Sequence, residues 1–251
     1  MRRARSSPSS DPRAPLIRTI AETGSTNADL LDRLRAGEQA AESEWLVADR
    51  QTAGRGRQGR GWFDGHGNFM GSTVVRITAG DPPAPTLSLV TGIALHESVR
   101  PFCPDDRMPM LKWPNDLLVG AAKLSGILLE SAGPAVVVGV GVNLKQAPDL
   151  PDRATIALSA FGPAPDRDFF AAELARNFAD ILQRWRTYGL EPILRQWSAL
   201  ATPKGTPLSV HEPDGALISG QFAGIAEDGS LRLRLADGTS RAIYAGDVTL
   251  A

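Results

Sequence analysis

The sequence contains one cysteine, three histidines and almost no net charge. Each shortage excludes something. Cys103 alone cannot build a disulfide framework, and a lone thiol fits a reducing cytoplasm. No run of about 18 apolar residues occurs, so no membrane-spanning helix is expected. A formal charge of −1 supplies no global field toward nucleic acid or acidic lipid, so any basic site must be local. His66, His96 and His211 each stand apart in the sequence and are left without a role. A Walker loop is absent, as are the Val-Ala-Ile-Lys, His-Arg-Asp and Asp-Phe-Gly runs of kinases.

What is present is 251 residues, enough for one large domain or one large and one small. Residues 1–15, MRRARSSPSSDPRAP, are polar, basic and proline-punctuated without an apolar h-region, and read as a disordered tail rather than a secretion signal. A strand is expected in PLIRTIAETGST, with Ser25 or Thr26 capping a helix that carries Leu30, Leu31 and Leu34 and ends near Gly37. Further strands are expected at 44–49, 68–77 and MLKW. LSGILLES and AVVVGVGVNL form a hairpin through Ala132-Gly133-Pro134. Helices are expected at 86–100, 167–187 and 190–200; the second aligns Phe170, Leu174, Phe178, Ile181 and Trp185 on one face.

After Ala201 the pattern becomes short alternating strands, TPLSVH, LISGQFAGI, SLRLRL and RAIYAGDVTL, with Asp-Gly turns at 214, 228 and 237. The chain therefore reads as α+β with a mixed or antiparallel sheet over 16–201 and a small β-barrel over 202–251. Strict β–α–β alternation is missing, which disfavours a dinucleotide-binding architecture.

Chemistry concentrates in QTAGRGRQGRGWF, residues 51–63, with four glycines and three arginines. Gly54 to Gly59 spell G-x-G-x-x-G, but no helix-forming segment follows to receive a pyrophosphate, so the dinucleotide reading fails on context. An anion-binding loop remains, along with a solvated charged loop and an RNA-binding arginine–glycine segment. Alternating Gly and Arg suggests no fixed structure without an anion, and ordering on binding. A second cluster, LKWPNDLLVGAAKLSGILLES, places Lys112 and Lys123 around a Trp-Pro-Asn-Asp turn. Lys123 is the only charge between Asp116 and Glu130, and so wants an anionic partner. The glycines of GVGVNL (139–144) suit close approach of a ligand to a buried strand.

Taken together, Ser25-Thr26-Asn27, Gln51 with Gly54-Arg55-Gly56-Arg57-Gln58-Gly59-Arg60-Gly61-Trp62, Lys112-Trp113-Pro114-Asn115-Asp116, Lys123 with Gly126-Ile127-Leu128, and Gly139 to Leu144 resemble the biotin protein ligases in order and spacing. The resemblance covers about residues 16–200, and the β tail looks like that family's SH3-like C-terminal domain. It implies a class II synthetase-like catalytic domain that activates biotin with ATP and Mg2+ as biotinoyl-5′-AMP. Transfer to one lysine of a biotin carboxyl carrier domain, of acetyl-CoA carboxylase or a related carboxylase, then follows.

By the same resemblance Ser25, Thr26, Asn27 and Gln51 bind biotin, and Arg55, Gly56 and Arg57 fold over its tail and the adenylate phosphate. Lys123 holds the carboxylate and then the phosphoryl oxygen, and Trp62 closes the loop. Asn115 and Asp116 face the nucleotide or metal side, Gly126 and Gly141 admit the ligand, and Asn143 lies near the adenine. No dedicated metal cage is implied. Phe63-Asp64-Gly65-His66 departs from the family's usual loop exit. No DNA-binding domain is expected before the first strand, and no membrane partner; a homodimer is allowed but not required. The rival of the same fold is a lipoate or octanoate ligase or transferase, which would carry an Arg-Arg-x-Ser-Gly-Gly-Gly type loop; a rival of another class is an RNA-binding module.

Overall fold

A computed structural model describes residues 16–38, 40–42, 44–212 and 215–250. The tail expected over 1–15 and Asp214 of the first Asp-Gly turn lie outside the described residues. Strand β1 (Leu16–Thr23) leads into helix α1 (Thr26–Arg35), and strand β2 (Glu44–Gln51) returns parallel to β1. That is one crossover unit of the kind the sequence pattern did not show. The remaining strands of the large sheet are β3 (Phe69–Arg76), β4 (Pro109–Lys112), β5 (Asp116–Val119), β6 (Ala122–Ala132) and β7 (Ala135–Val142). The sheet order is β1-β2-β3-β7-β6-β5-β4, and every pairing from β2 onward is antiparallel. The sheet is mixed, as the sequence pattern suggested. Strand β5 was not foreseen, because it starts on Asp116, which was read as part of a turn.

Helix α1 covers one face of this sheet; α2 (Leu87–Val99), α3 (Arg167–Tyr188) and α4 (Glu191–Leu200) cover the other. Along α3, Phe170, Leu174, Phe178, Ile181 and Trp185 are all buried, as their spacing predicts. The pleat of β7 sorts its own sequence by period two. Val136, Val138, Val140 and Val142 join the large core beneath α2 and α3. Ala135 and Val137 instead join the smaller core under α1. Gly139 and Gly141 continue that second face toward the end of the strand, where they leave the sheet surface bare.

A second, five-stranded antiparallel sheet is built from β8 (Pro207–His211), β9 (Leu217–Ile225), β10 (Leu231–Arg234), β11 (Ser240–Ile243) and β12 (Asp247–Leu250), in the order β11-β10-β9-β8-β12. RAIYAGDVTL, expected to be one strand, is two: Tyr244-Ala245-Gly246 carries the chain from β11 at one edge to β12 at the other. Gly246, at φ 154°, makes that break, and a Cβ there would stand 2.9 Å from the His211 carbonyl. The turns at Asp228-Gly229 and Asp237-Gly238 form as expected. In each the Asp side chain accepts from the backbone and hydroxyl two residues on, and the Gly takes positive φ. Leu208, Phe222, Leu231 and Val248 share one apolar core with the large sheet, and Trp113 donates to the Gly229 carbonyl at 3.1 Å across the junction.

Candidate active site

A cavity of about 340 Å³ opens on the α1 face of the large sheet, beyond the bare glycines of β7. It is lined by Ser25, Thr26, Asn27, Gln51, Arg55, Gly56, Arg57, Trp62, Asn115, Asp116, Lys123, Gly126 and Gly141, so thirteen of the fourteen residues singled out from sequence meet here. The exception is Asn143. It is buried behind β6 and β7, with its side-chain amide donating to the Ile156 carbonyl at 3.2 Å. Its position after β7 is fixed by backbone bonds to Leu124 and Leu158, which turn it from the cavity toward the segment packed alongside.

The inner end is a chain of polar side chains at the start of α1. Gln51 Oε1 accepts from the Thr26 amide at 2.7 Å and faces Thr26 Oγ1 at 3.0 Å. Thr26 Oγ1 meets Ser72 Oγ at 2.7 Å, and Ser72 Oγ meets Asn27 Oδ1 at 2.6 Å. Asn27 Nδ2 donates to Glu130 at 2.8 Å, which fixes the orientation of its amide. Two hydroxyl protons must then serve three oxygen–oxygen contacts. The chain is one donor short, so it is complementary to a ligand that brings N–H groups. Gly139 makes room for this arrangement, because a Cβ there would lie 2.1 Å from Asn27 Oδ1.

The outer end is cationic. Arg55, Arg57, Arg60, Arg153 and Lys123 line the cavity against the carboxylates of Asp116, Asp152 and Asp247. This local excess on a nearly neutral chain suits an anionic ligand. Lys123 sits 2.6 Å from Asp116 Oδ1 and 5.8 Å from the Trp62 ring centre. Lys112 takes the other oxygen of Asp116 at 3.1 Å, and its ammonium also donates to the Val248 carbonyl at 2.7 Å; it does not line the cavity. Burial alone would raise the Asp116 carboxyl, but the charges and hydrogen bonds of Lys123 and Lys112 outweigh it and hold the group below the usual carboxylate range. Such a carboxylate is a poor proton acceptor. Its position makes it an anchor for two ammonium groups.

The arginine–glycine loop forms a short hairpin. Arg55 and Gly61 pair as a short antiparallel bridge, Gly56 donates to the Arg60 carbonyl at 2.6 Å, and Trp62 donates to the Gly54 carbonyl at 2.9 Å. The turn at Arg57–Gly59 carries Gln58 at φ 56°. Partners from elsewhere in the chain hold the arginines. Arg57 donates to Asn115 Oδ1 and to the Gly246 carbonyl, each at 3.1 Å; Arg60 pairs with Asp247 at 3.0 Å; Arg55 faces Glu130 at 3.9 Å. Burial draws the Arg57 guanidinium below its ordinary value, while Asp247 and Asp116 pull the other way. The Trp62 ring lies on the bare glycines; Cβ atoms at Gly141 and Gly126 would stand 2.2 and 3.0 Å from it. The unusual loop exit is structural too, because Asp64 accepts from the Gln51 amide at 2.9 Å and from Arg50 at 3.3 Å.

Ser72, Asp152, Arg153, Thr155 and Asp247 also line the cavity and were not singled out from sequence. Arg153 and Thr155 arrive on a segment that runs beside β6, where the Lys123 amide donates to the Ala154 carbonyl at 2.9 Å. Asp247 comes from the second sheet. None of these three stands within a motif in sequence, so only tertiary structure reveals them. Among the described residues, no group of three or more His, Cys, Asp or Glu is placed to cage a metal ion.

Comparison with known proteins gives a consistent result. The family model "Biotin/lipoate A/B protein ligase family" matches residues 20–145, and "Biotin protein ligase C terminal domain" matches residues 210–250. The chain is 40% identical over 226 residues to a biotin--[acetyl-CoA-carboxylase] ligase of Paracoccus denitrificans, covering 86% of this chain and 92% of that one. It is 38% identical over 235 residues to the ligase of the same name from Mycobacterium tuberculosis, covering 91% and 86%. Its fold is similar to that of the biotin protein ligase from Aquifex aeolicus in complex with biotin and ATP, with a TM-score of 0.83 at 22% identity, over 94% of this chain and 99% of that one.

Proposed function

The chain belongs to the biotin/lipoate A/B protein ligase family, and we propose that its cavity is where it joins biotin to ATP. It is a biotin–protein ligase: it activates biotin as biotinoyl-5′-AMP and transfers the acyl group to a carrier lysine. A carboxylate oxygen of biotin attacks the α-phosphorus, the bond from that phosphorus to the bridging oxygen breaks, and pyrophosphate leaves. The carrier's amine then attacks the acyl carbon, and AMP departs.

Two anions must meet in the first step, so the enzyme's task is to neutralise and align them rather than to form a covalent intermediate. The donor-deficient chain Gln51–Thr26–Ser72–Asn27 receives the N–H groups of the biotin ring, with Ser25 at the helix start beside it. Lys123 and Arg57 hold the carboxylate and then the phosphoryl oxygens, with Arg55 and Gly56 over the tail. Trp62, seated on Gly126 and Gly141, walls the cavity beside the intermediate, so these glycines admit the ring rather than the ligand. Asn115 positions Arg57, and Asp116 aims Lys123. Mg2+ would enter with ATP and would neutralise part of its phosphate charge, since no group of three or more His, Cys, Asp or Glu among the described residues could hold it.

The observation that carries this reading is the convergence of five separated motifs on one cationic cavity with a donor-deficient inner end. Residues 16–201 form the catalytic unit in this account, and 202–251 a β unit that supplies Gly246 and Asp247 to the loop. The acceptor is the carrier domain of a carboxylase, and acetyl-CoA carboxylase is the one named in the relatives. The lone buried Cys103 is compatible with work in a reducing cytoplasm. Incubation with biotin, MgATP and a carrier domain should release pyrophosphate only when biotin is present, and add one biotinoyl group to one lysine. Thermal stabilisation by lipoate but not biotin would instead select the lipoate branch.

A further inference from the structure

Glu130 lies outside the cavity lining, yet it touches both ends of the site. Its Oε2 accepts from Asn27 Nδ2 at 2.8 Å, and its Oε1 faces the Arg55 guanidinium at 3.9 Å. The first contact sets the orientation of the Asn27 amide, and with it the lone pair that Ser72 faces at 2.6 Å. The second ties the base of the arginine hairpin to strand β6. The two contacts differ in kind. The Asn27 contact is partly buried and needs only an acceptor oxygen. The Arg55 contact joins side chains 53% and 28% exposed and needs a charge.

We propose that Glu130 is a positioning residue that couples the vitamin pocket to the arginine hairpin. One oxygen holds Asn27 in the amide orientation that reads the ligand's N–H groups, and the other anchors Arg55 so that the hairpin stays closed over the adenylate. The proposal rests on the ligase reading above and goes beyond it, because Glu130, at the end of the 111–131 stretch, has no role in that reading and does not line the cavity. Glutamine at this position keeps an acceptor for Asn27 and discards the charge; alanine discards both. The pair of variants therefore separates the two contacts.

The test uses the full chain and the variants Glu130→Gln and Glu130→Ala, with biotin affinity measured without nucleotide and the release rate of preformed biotinoyl-adenylate measured at low and high salt. Glu130→Ala should weaken biotin binding about tenfold, the effect of losing one charge-assisted hydrogen bond. Glu130→Gln should keep biotin affinity within about twofold yet release adenylate about twofold to fivefold faster, as for an exposed ion pair. That difference should vanish near 1 M salt. Thermal unfolding at the parental temperature separates these effects from a loss of fold. If the alanine variant does not fold, the glutamine variant decides alone. Parental biotin affinity in Glu130→Ala, or parental adenylate release in Glu130→Gln, overturns the coupling. A parent chain that binds no biotin overturns the ligase reading, and the coupling with it.

Discussion

Lys123 and Lys112 share one carboxylate, Asp116, but only Lys123 faces the cavity. Lys123→Ala should therefore slow adenylation about 100- to 1,000-fold, the scale for removing one preorganised charge donor. Lys112→Ala should act mainly on stability, since its other contact is the Val248 carbonyl. Burst measurements of pyrophosphate release check this, and equal rate losses would mean the wrong lysine was chosen. Arg57→Gly removes the bonds to Asn115 and Gly246; released biotinoyl-AMP should then label bystander lysines, and unchanged labelling specificity would count against that role. Asp116 carries a pH prediction. Its folded pKa is depressed, so its stabilising contribution is complete above the ordinary carboxylate value of about 4 and is lost as pH falls below it. Urea unfolding between about pH 5 and pH 2 should show a steeper loss of stability in the parent than in Asp116→Asn. Of these residues, the sequence pointed to Lys123 through its isolation between Asp116 and Glu130. The second claim on Asp116, from Lys112, depends on the pairing of β4 with β5 and was not visible.

At the scale of elements, the hairpin 54–62 is held by residues far away in sequence. Asp247→Asn should free Arg60 and hasten adenylate release about twofold to fivefold at low salt, because this partly exposed pair is worth little more than a surface ion pair. Indifference of the release rate to this change and to salt would remove the second sheet from the loop's support. The loop's glycines and arginines were legible as a cationic lining, while its hairpin was not, because the partners Asn115, Gly246 and Asp247 lie far away in sequence. Helix α3 was legible in full, since one long amphipathic stripe determines both its type and its buried face. Strand β5 was not, because three apolar residues after a Pro-Asn-Asp turn carry no period. In β7 the alternation of Gly and Val pointed to close approach of a ligand, whereas the group that lies on Gly141 is the Trp62 ring. Only the sheet order showed that the bare face looks toward α1 and carries the Trp62 ring.

The whole molecule places its chemistry where two sheets and one helix start converge. Its charge is nearly balanced overall, while the cavity keeps five cationic side chains against three carboxylates. Attraction between the site and its anionic substrates is therefore local and short in range. The two-part layout was legible from the change in texture after Ala201 and the Asp-Gly turns that follow. The continuity of the core across Trp113, Leu208, Phe222 and Val248 was not, because apolar residues in short strands do not announce which neighbour they meet. That continuity gives the second sheet a fixed stance from which Gly246 can reach Arg57.

A crystal structure with a non-hydrolysable biotinoyl-adenylate analogue tests most directly whether the hairpin and Lys123 jointly neutralise the reacting anions. The expected result is Lys123 Nζ and the Arg57 guanidinium within about 3 Å of acyl or phosphoryl oxygens, with the Trp62 ring alongside the ligand. Residues 54–61 turned out into solvent, with Lys123 more than about 6 Å from every ligand oxygen, would contradict the account.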